Sequence, residues 1–401
     1  MPLLTTPPFG SRTAPHPLLI VGLTAAGTLP MHVFVPALPA AAKDLGASPG
    51  SIQLTISLYL VGVAVGQLLY GPLSDRFGRR PVVLAGFTLF LASTLFAMLA
   101  LSIEQLIVAR VLQSLGGCSG LVLGRAMVRD GTTAENATRQ LGLLTMTMTI
   151  APALAPVVGG FISAWIGWRA IFALLGLTGF VVLGIAALTL PETHKTIGDR
   201  RGAAQLFNSY RRLLRLPVFV SYAVAGAAMT TSIYAFLSAS PFLFIDLLGR
   251  PATEVGLYYM LLVGAASGGG FAASLLAGRL AIHQTLRLAA WLTFGSAAMI
   301  MLGDVSGHLG VITLVAPMTV FMFATGIASP NAIAGATGAD PALIGAASGL
   351  YGFIQMSFGA LCTVVVSQFH ADSALPVALT LLGSTVLAHA ALSYGSRAIR
   401  K

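Results

Sequence analysis

Long apolar runs decide what this chain can fold into. They recur at about 18–39, 51–70, 81–102, 105–124, 140–163, 169–190, 217–241, 254–276, 288–303, 309–331, 342–367 and 374–394. A helix needs about 20 apolar residues to cross the hydrocarbon core of a bilayer, where only a helix or a closed barrel satisfies its own backbone. Twelve such spans use roughly 240 residues of the 401 in the chain, leaving only short connections. Composition agrees: 8% of residues are charged and 56% hydrophobic, against about 25% charged in soluble proteins. So few charges cannot cover a water-facing surface, which excludes a soluble enzyme or a nucleic-acid-binding domain. The net charge of +10 resides mostly between the apolar runs. The expected fold is an all-α integral membrane protein of twelve transmembrane helices.

The longest connection, 191–216, carries charges throughout and divides the runs six and six. The expected organisation is an N-terminal six-helix bundle over 1–190, a cytoplasmic loop over 191–216 and a C-terminal six-helix bundle over 217–401. Paired bundles of this kind are common in secondary transporters. Ala37-Leu38-Pro39-Ala40 loosely resembles a signal cleavage site, but the preceding run is long and is interrupted by Pro30 and Pro36, so it reads as a retained span. With the N-terminus inside, eighteen of the 22 Lys and Arg residues fall in segments on the cytoplasmic side and three, Lys43, Arg169 and Arg250, on the other. Basic residues stay in the cytoplasm, so both termini are expected there. Cys118 and Cys362 each lie within an apolar run and read as packing residues.

Between the second and third runs stands Gly71-Pro-Leu-Ser-Asp-Arg-Phe-Gly-Arg-Arg80. Gly71 and Gly78 permit a tight reversal, and Asp75 is placed to face a helix N-terminus, where the dipole favours an anion. Arg76, Arg79 and Arg80 can pair across the bundle or meet acidic lipid. In the fifth run, Pro152 and Pro156 remove backbone donors and bend the helix, while Gly159 and Gly160 admit a close neighbour. These ten residues are the candidate gating set. Arg110 is the one basic residue inside a span; it reads either as a functional cation facing a cavity or as one snorkelling to the interface.

The loop sequence matches in full the pattern G-x-L-S-D-R-x-G-R-R of the major facilitator superfamily. Arg110-Val-Leu-Gln-Ser-Leu-Gly116 and Ala151-Pro-Ala-Leu-Ala-Pro-Val-Val-Gly-Gly160 resemble two further family stretches, the latter typical of drug/proton antiporters. Val35-Pro-Ala-Leu-Pro39, Gln53-Leu-Thr-Ile-Ser-Leu-Tyr-Leu60 and Gly167-Trp-Arg-Ala-Ile-Phe172 narrow the resemblance to the Bcr/CflA drug-resistance branch. Gly278-Arg279-Leu280 is a degenerate echo of the first loop in the second half. The resemblance implies a major facilitator fold in a bacterial inner membrane. It also implies proton-coupled export of bicyclomycin- or chloramphenicol-type drugs by alternating access, with Arg110 taking part in coupling.

At one position the chain departs from that branch. His32 stands where its members typically have an aspartate, and none of the twelve carboxylates lies at a membrane centre. Imidazole loads and releases a proton near neutral pH, so His32 reads as a proton carrier or, equally, as a hydrogen-bonding residue in a cavity. His389 is a weaker candidate. Tyr59, Gln113, Met146, Tyr234, Asn331, Tyr351 and Gln355 are candidate substrate contacts near the midplane, with helix packing as the alternative for each.

The expected partners are a drug-like small molecule, protons and membrane lipid, with no nucleic acid. No cofactor or metal is expected, and no Walker-type sequence is present for ATP. An exporter or facilitator of a small anionic or polar metabolite without proton coupling is the alternative. A membrane receptor or scaffold is the reading outside transport. An enzyme would need a convergent nucleophile and base or a metal set, and no such cluster is visible.

Overall fold

The computed structural model of the chain describes residues 15–131, 154–193, 202–369 and 373–399. Among these, ten helices are long and apolar enough to cross a membrane, and a bent pair makes an eleventh. The fifth run is represented by a shorter apolar helix, Leu154–Trp165.

The first run forms α1 (Pro17–Ala25), α2 (Leu29–Phe34) and α3 (Leu38–Asp44). Then follow α4 (Pro49–Phe77), α5 (Arg79–Met98), α6 (Ile103–Gly131), α7 (Leu154–Trp165) and α8 (Arg169–Thr189). After the central connection come α10 (Pro217–Thr231) and α11 (Ile233–Phe242), which together make the seventh span. The remaining spans are α12 (Ala252–Leu276), α13 (Ile282–Val305), α14 (Val311–Thr337), α15 (Ile344–Ser367) and α16 (Leu375–Ile399).

Two differences from the sequence reading have plain causes. The first span is not continuous: α1 meets the α2–α3 segment at 47°. Pro30 has no N–H to offer the Ala26 carbonyl, and its ring crowds the preceding turn, so the helix stops at Ala25 and restarts at Leu29. The central connection, expected to be loop, contains α9 (Gly202–Leu214). Its charged residues hide it from a hydropathy scan, yet it is amphipathic: Leu213 is buried while Arg211 and Arg212 face outward. The Arg212 guanidinium pairs with Asp340 at 2.7 Å, tying α9 to the turn before α15.

Within the N-terminal half, α6 is central, packing on α1, α4 and α5. Its small residues let α1 approach so closely that a Cβ at Gly120 would lie 2.0 Å from the Leu23 carbonyl oxygen. In the second half, α14 packs on α10, α12 and α13. The two bundles meet chiefly along α4 and α15, which run antiparallel: Gly50 lies against the Ser367 carbonyl, and Gly352 lies against the Gln67 side chain. At the end of the molecule near Gly50, Gly160 of α7 abuts the Ala252 carbonyl of α12. Backbone thus meets backbone at that end.

Candidate transport site

A cavity of about 230 Å³ lies between the bundles. The N-terminal half contributes Gly27, Thr28, Met31 and His32 at the break in the first span, Tyr59 and Gln67 of α4, and Arg125 of α6. The other half contributes Tyr234, Ser329, Ser348, Tyr351, Gln355 and Met356. Five of the residues singled out in the sequence thus share one space: His32, Tyr59, Tyr234, Tyr351 and Gln355. Among the described residues, no aspartate or glutamate lines it. Toward the loop-motif end a second cavity of about 330 Å³ adjoins, sharing Gln67, Leu121, Arg125 and Ser348 with the first. Asp75 and Arg79 lie on its walls, as do Leu206 and Tyr210 of α9.

The polar groups of the first cavity are held by the backbone of the broken span. His32 Nδ1 lies 3.0 Å from the Thr28 carbonyl. The Tyr59 hydroxyl donates to the Gly27 carbonyl at 3.0 Å, in the unwound segment between α1 and α2. On the opposite wall Gln355 Nε2 donates to Thr230 Oγ1 at 2.7 Å. Thr28 Oγ1 is buried with no hydrogen-bond partner among the described residues.

Arg110 lies behind the wall and is fully buried, so it does not reach the interface. Its guanidinium carbon stands 4.3 Å from the Tyr59 ring centroid, 5.3 Å from Phe34 and 5.9 Å from Phe172. Nη1 donates to Gln113 Oε1 at 2.5 Å, and Gln113 Nε2 donates to Thr94 Oγ1 at 2.7 Å. The residues at i and i+3 share a helix face, which is why Arg110 and Gln113 meet. Nε and Nη2 have no partner among the described residues. Three aromatic faces compensate part of the desolvation cost, each worth about 0.5–2 kcal/mol. Phe34 directly precedes the Val35–Pro39 stretch, Tyr59 belongs to the Gln53–Leu60 stretch, and Phe172 ends the Gly167–Phe172 stretch. Three separate stretches thereby converge on one cation.

Not every expected contact lies on the cavity. Gln113 is spent on Arg110 and Thr94, and Asn331 donates to the Ile327 carbonyl of its own helix at 2.9 Å without lining the space. Met146 and Pro152 lie outside the described residues. His389 stacks on Trp291, with ring centroids 4.5 Å apart, on α16 and α13. Sequence reasoning missed Gln67, Arg125, Ser329 and Ser348. Small or polar residues at helical spacing carry no signal until the facing bundle is in place.

In the gating set, Asp75 is expected at a helix N-terminus but pairs with the Arg79 side chain at 2.8 Å across the reversal from α4 to α5. Arg79 also bonds Ser74 Oγ and, through Nε, Asp130 at 3.1 Å. The anion at the start of α5 is Glu192, which accepts from the Arg79 and Arg80 backbone N–H groups at 2.9 and 3.1 Å. Those N–H groups have no intrahelical acceptor, and Glu192, at the end of the sixth span, is the carboxylate that reaches them. Arg80 donates to the Ala187 carbonyl at 2.8 Å, while Arg76 lies over Phe77. Gly78 links α4 to α5 at φ +95°, and a Cβ there would meet Glu192 Oε2 at 2.5 Å. Gly71 has open space around it. In α7, a Cβ on Gly159 would lie 1.8 Å from the Val33 carbonyl oxygen, so α7 and α2 touch there. Pro156 sits in the first turn of the described part of α7.

Against known proteins, the family model described as Major Facilitator Superfamily matches residues 19–363. The chain belongs to this superfamily. Among its relatives, Multidrug resistance protein D of Escherichia coli is 30% identical over 372 residues, covering 92% of this chain and 93% of the relative. A bicyclomycin resistance protein homolog of Haemophilus influenzae is 27% identical, covering 89% and 90%. A chloramphenicol resistance protein of Pseudomonas aeruginosa is 29% identical, covering 91% and 87%. Solved structures share the fold at low identity. The peptide transporter POT in complex with alafosfalin superposes with TM-score 0.76 at 15% identity, covering 95% and 94% of the two chains. A bacterial homolog of the human lysosomal transporter Spinster gives 0.71 at 16%, covering 96% of each. Two helical bundles around a central cavity are thus the major facilitator fold.

Proposed function

We propose that this chain exports small amphipathic drugs from the cytoplasm by alternating access, with protons moving inward in exchange. The observation that carries the proposal is the cavity between the bundles, with His32 on its wall at a proline-made break in the first span. Aromatic and amide tips from both halves surround that space, as befits a permissive site for compounds with apolar bodies and a few polar groups. The relatives named for multidrug, bicyclomycin and chloramphenicol resistance point to the same class of cargo. Both termini and the 191–216 connection are assigned to the cytoplasm by the distribution of basic residues. The bundles are taken as 1–190 and 217–401, in a bacterial inner membrane.

In this mechanism His32 takes the proton that the missing aspartate would carry, and Tyr59 relates the cavity to the buried Arg110. A proton arriving on His32 adds positive charge to the cavity wall, which opposes a cationic cargo and so favours release. Backbone contacts at Gly159 and Gly160 close one end. The cavity lined by Gln67, Asp75 and Tyr210 is the entrance at the other. No ATP and no cofactor enters this cycle, and the family is one of transporters rather than enzymes.

A second reading has its own observation. Among the described residues no carboxylate lines the cavity, which favours neutral or anionic cargo, and a facilitator of such a molecule would need no proton. Competition assays in proteoliposomes separate cargo classes. Lipophilic cations that compete as well as neutral and anionic compounds would remove the second reading. Transport that ignores an imposed proton gradient would remove the antiport.

A further inference from the structure

Away from the transport path, the C-terminal bundle carries a separate cavity of about 220 Å³ between α10, α13 and α16. It opens at the end of the bundle that also holds the start of α13 and the last turns of α16. Its walls include His283 and Arg287 of α13, Ser221 and Tyr222 of α10, and Ser396 of α16. Among the described residues, no acidic side chain lines it. The Arg287 guanidinium has one long hydrogen bond, 3.5 Å to Ser396 Oγ. Ser221 and Ser396 donate their own hydroxyl protons to the Ala391 and Ser393 carbonyls. The donors left facing the space are therefore Arg287, His283 and the Tyr222 phenol.

The surface beside the cavity matches a lipid. His283, Arg287 and Trp291 succeed one another at four-residue intervals and so share a face of α13. His283 and Arg287 are exposed, and Trp291 is 63% exposed. Leu288 beside them is also exposed, so the strip passes from basic side chains to apolar surface along the helix axis. A cation at headgroup level with an aromatic ring deeper is the pattern of an interfacial anchor. Guanidinium forks fit phosphate oxygens, and basic pockets between spans at a cytoplasmic face suit anionic headgroups.

We propose that this cavity seats the phosphate of an anionic phospholipid, with Arg287 and His283 on the phosphate and the acyl chains along Trp291 and Leu288. The seat belongs to the membrane surface of the protein rather than to its cargo site, and it does not depend on what is exported.

The full-length protein in nanodiscs, or released into native mass spectrometry, provides the test. Wild type should retain phosphatidylglycerol over phosphatidylcholine, and Arg287→Gln should weaken that retention about fivefold to tenfold. Arg287→Lys should keep part of it. Arg211→Gln, which removes the same charge from an exposed position on α9, should leave it intact. A thermal melt identifies any variant that fails to fold, in which case His283→Gln supplies the same comparison. Equal retention in Arg287→Gln and wild type would overturn the proposal. So would equal loss in Arg211→Gln, which would mean diffuse attraction to the surface. Displacement of the lipid by inorganic phosphate at matched concentration would assign the cavity to the free ion and overturn the lipid seat.

Discussion

Arg110 is a buried cation that meets no carboxylate among the described residues and is held by three ring faces and one glutamine. Planarity lets the guanidinium lie against those rings, and an ammonium cannot reproduce that contact. Arg110→Lys is expected to lower drug transport in proteoliposomes by about tenfold or more while leaving the protein folded. Retention of wild-type transport would show that charge alone suffices. At Glu192, the carboxylate meets two free backbone N–H groups at the start of α5. Glu192→Gln should cost about 0.3–1 kcal/mol, more if the partly buried geometry amplifies the dipole, seen as a lower melting midpoint. These two sites differ in how far the sequence reveals them. Arg110 stands out because a charge inside an apolar run is rare. Glu192 is one of many charges in a connection, and only the fold brings it 112 residues back along the chain to Arg80. For the same reason the loop motif announces a reversal but does not say which acid pairs with which base.

The broken first span is the element that makes the site. Pro30 stands in the first turn of α2, where its missing N–H costs little, but it denies the Ala26 carbonyl the donor that a continuous helix would supply. Pro30→Ala should favour a continuous first span and impair transport, because straightening α1 into α2 withdraws Thr28 and His32 from the cavity. An equally active variant would show that the break is incidental. In α7, the contact of Gly159 with the Val33 carbonyl leaves no room for a side chain. Gly159→Ala is expected to cost about 1–3 kcal/mol through overpacking and to slow the transport cycle. Accelerated transport with unchanged stability would contradict a gating contact there. Apolar length and proline position made these spans legible. The angle of the break and the partner of each glycine were not, because both depend on which helix lies opposite. The helix α9 shows the converse case, since thirteen amphipathic residues in a charged connection fall below any length criterion for a span.

At the scale of the whole molecule, two bundles can exchange access to a shared cavity only if few contacts fix them together. The close approaches of Gly50 to Ser367 and of Gly160 to Ala252 lie at one end, while at the other α9 packs on both α4 and α15. The all-helical, many-span plan could be read from apolar length alone. The cavity could not, because its eighteen lining residues come from spans distributed over the chain and most are neither charged nor aromatic. The absence of a membrane-centre carboxylate was legible in the sequence, and it puts the proton question on His32.

The most direct measurement is drug-evoked proton movement in proteoliposomes containing only this protein, for wild type, His32→Ala and His32→Asp. Antiport predicts proton release on drug addition in wild type, loss of that signal in His32→Ala and its return in His32→Asp. Drug flux without proton movement in all three proteins, or an undiminished proton signal in His32→Ala, would contradict the assignment of His32 as the proton carrier.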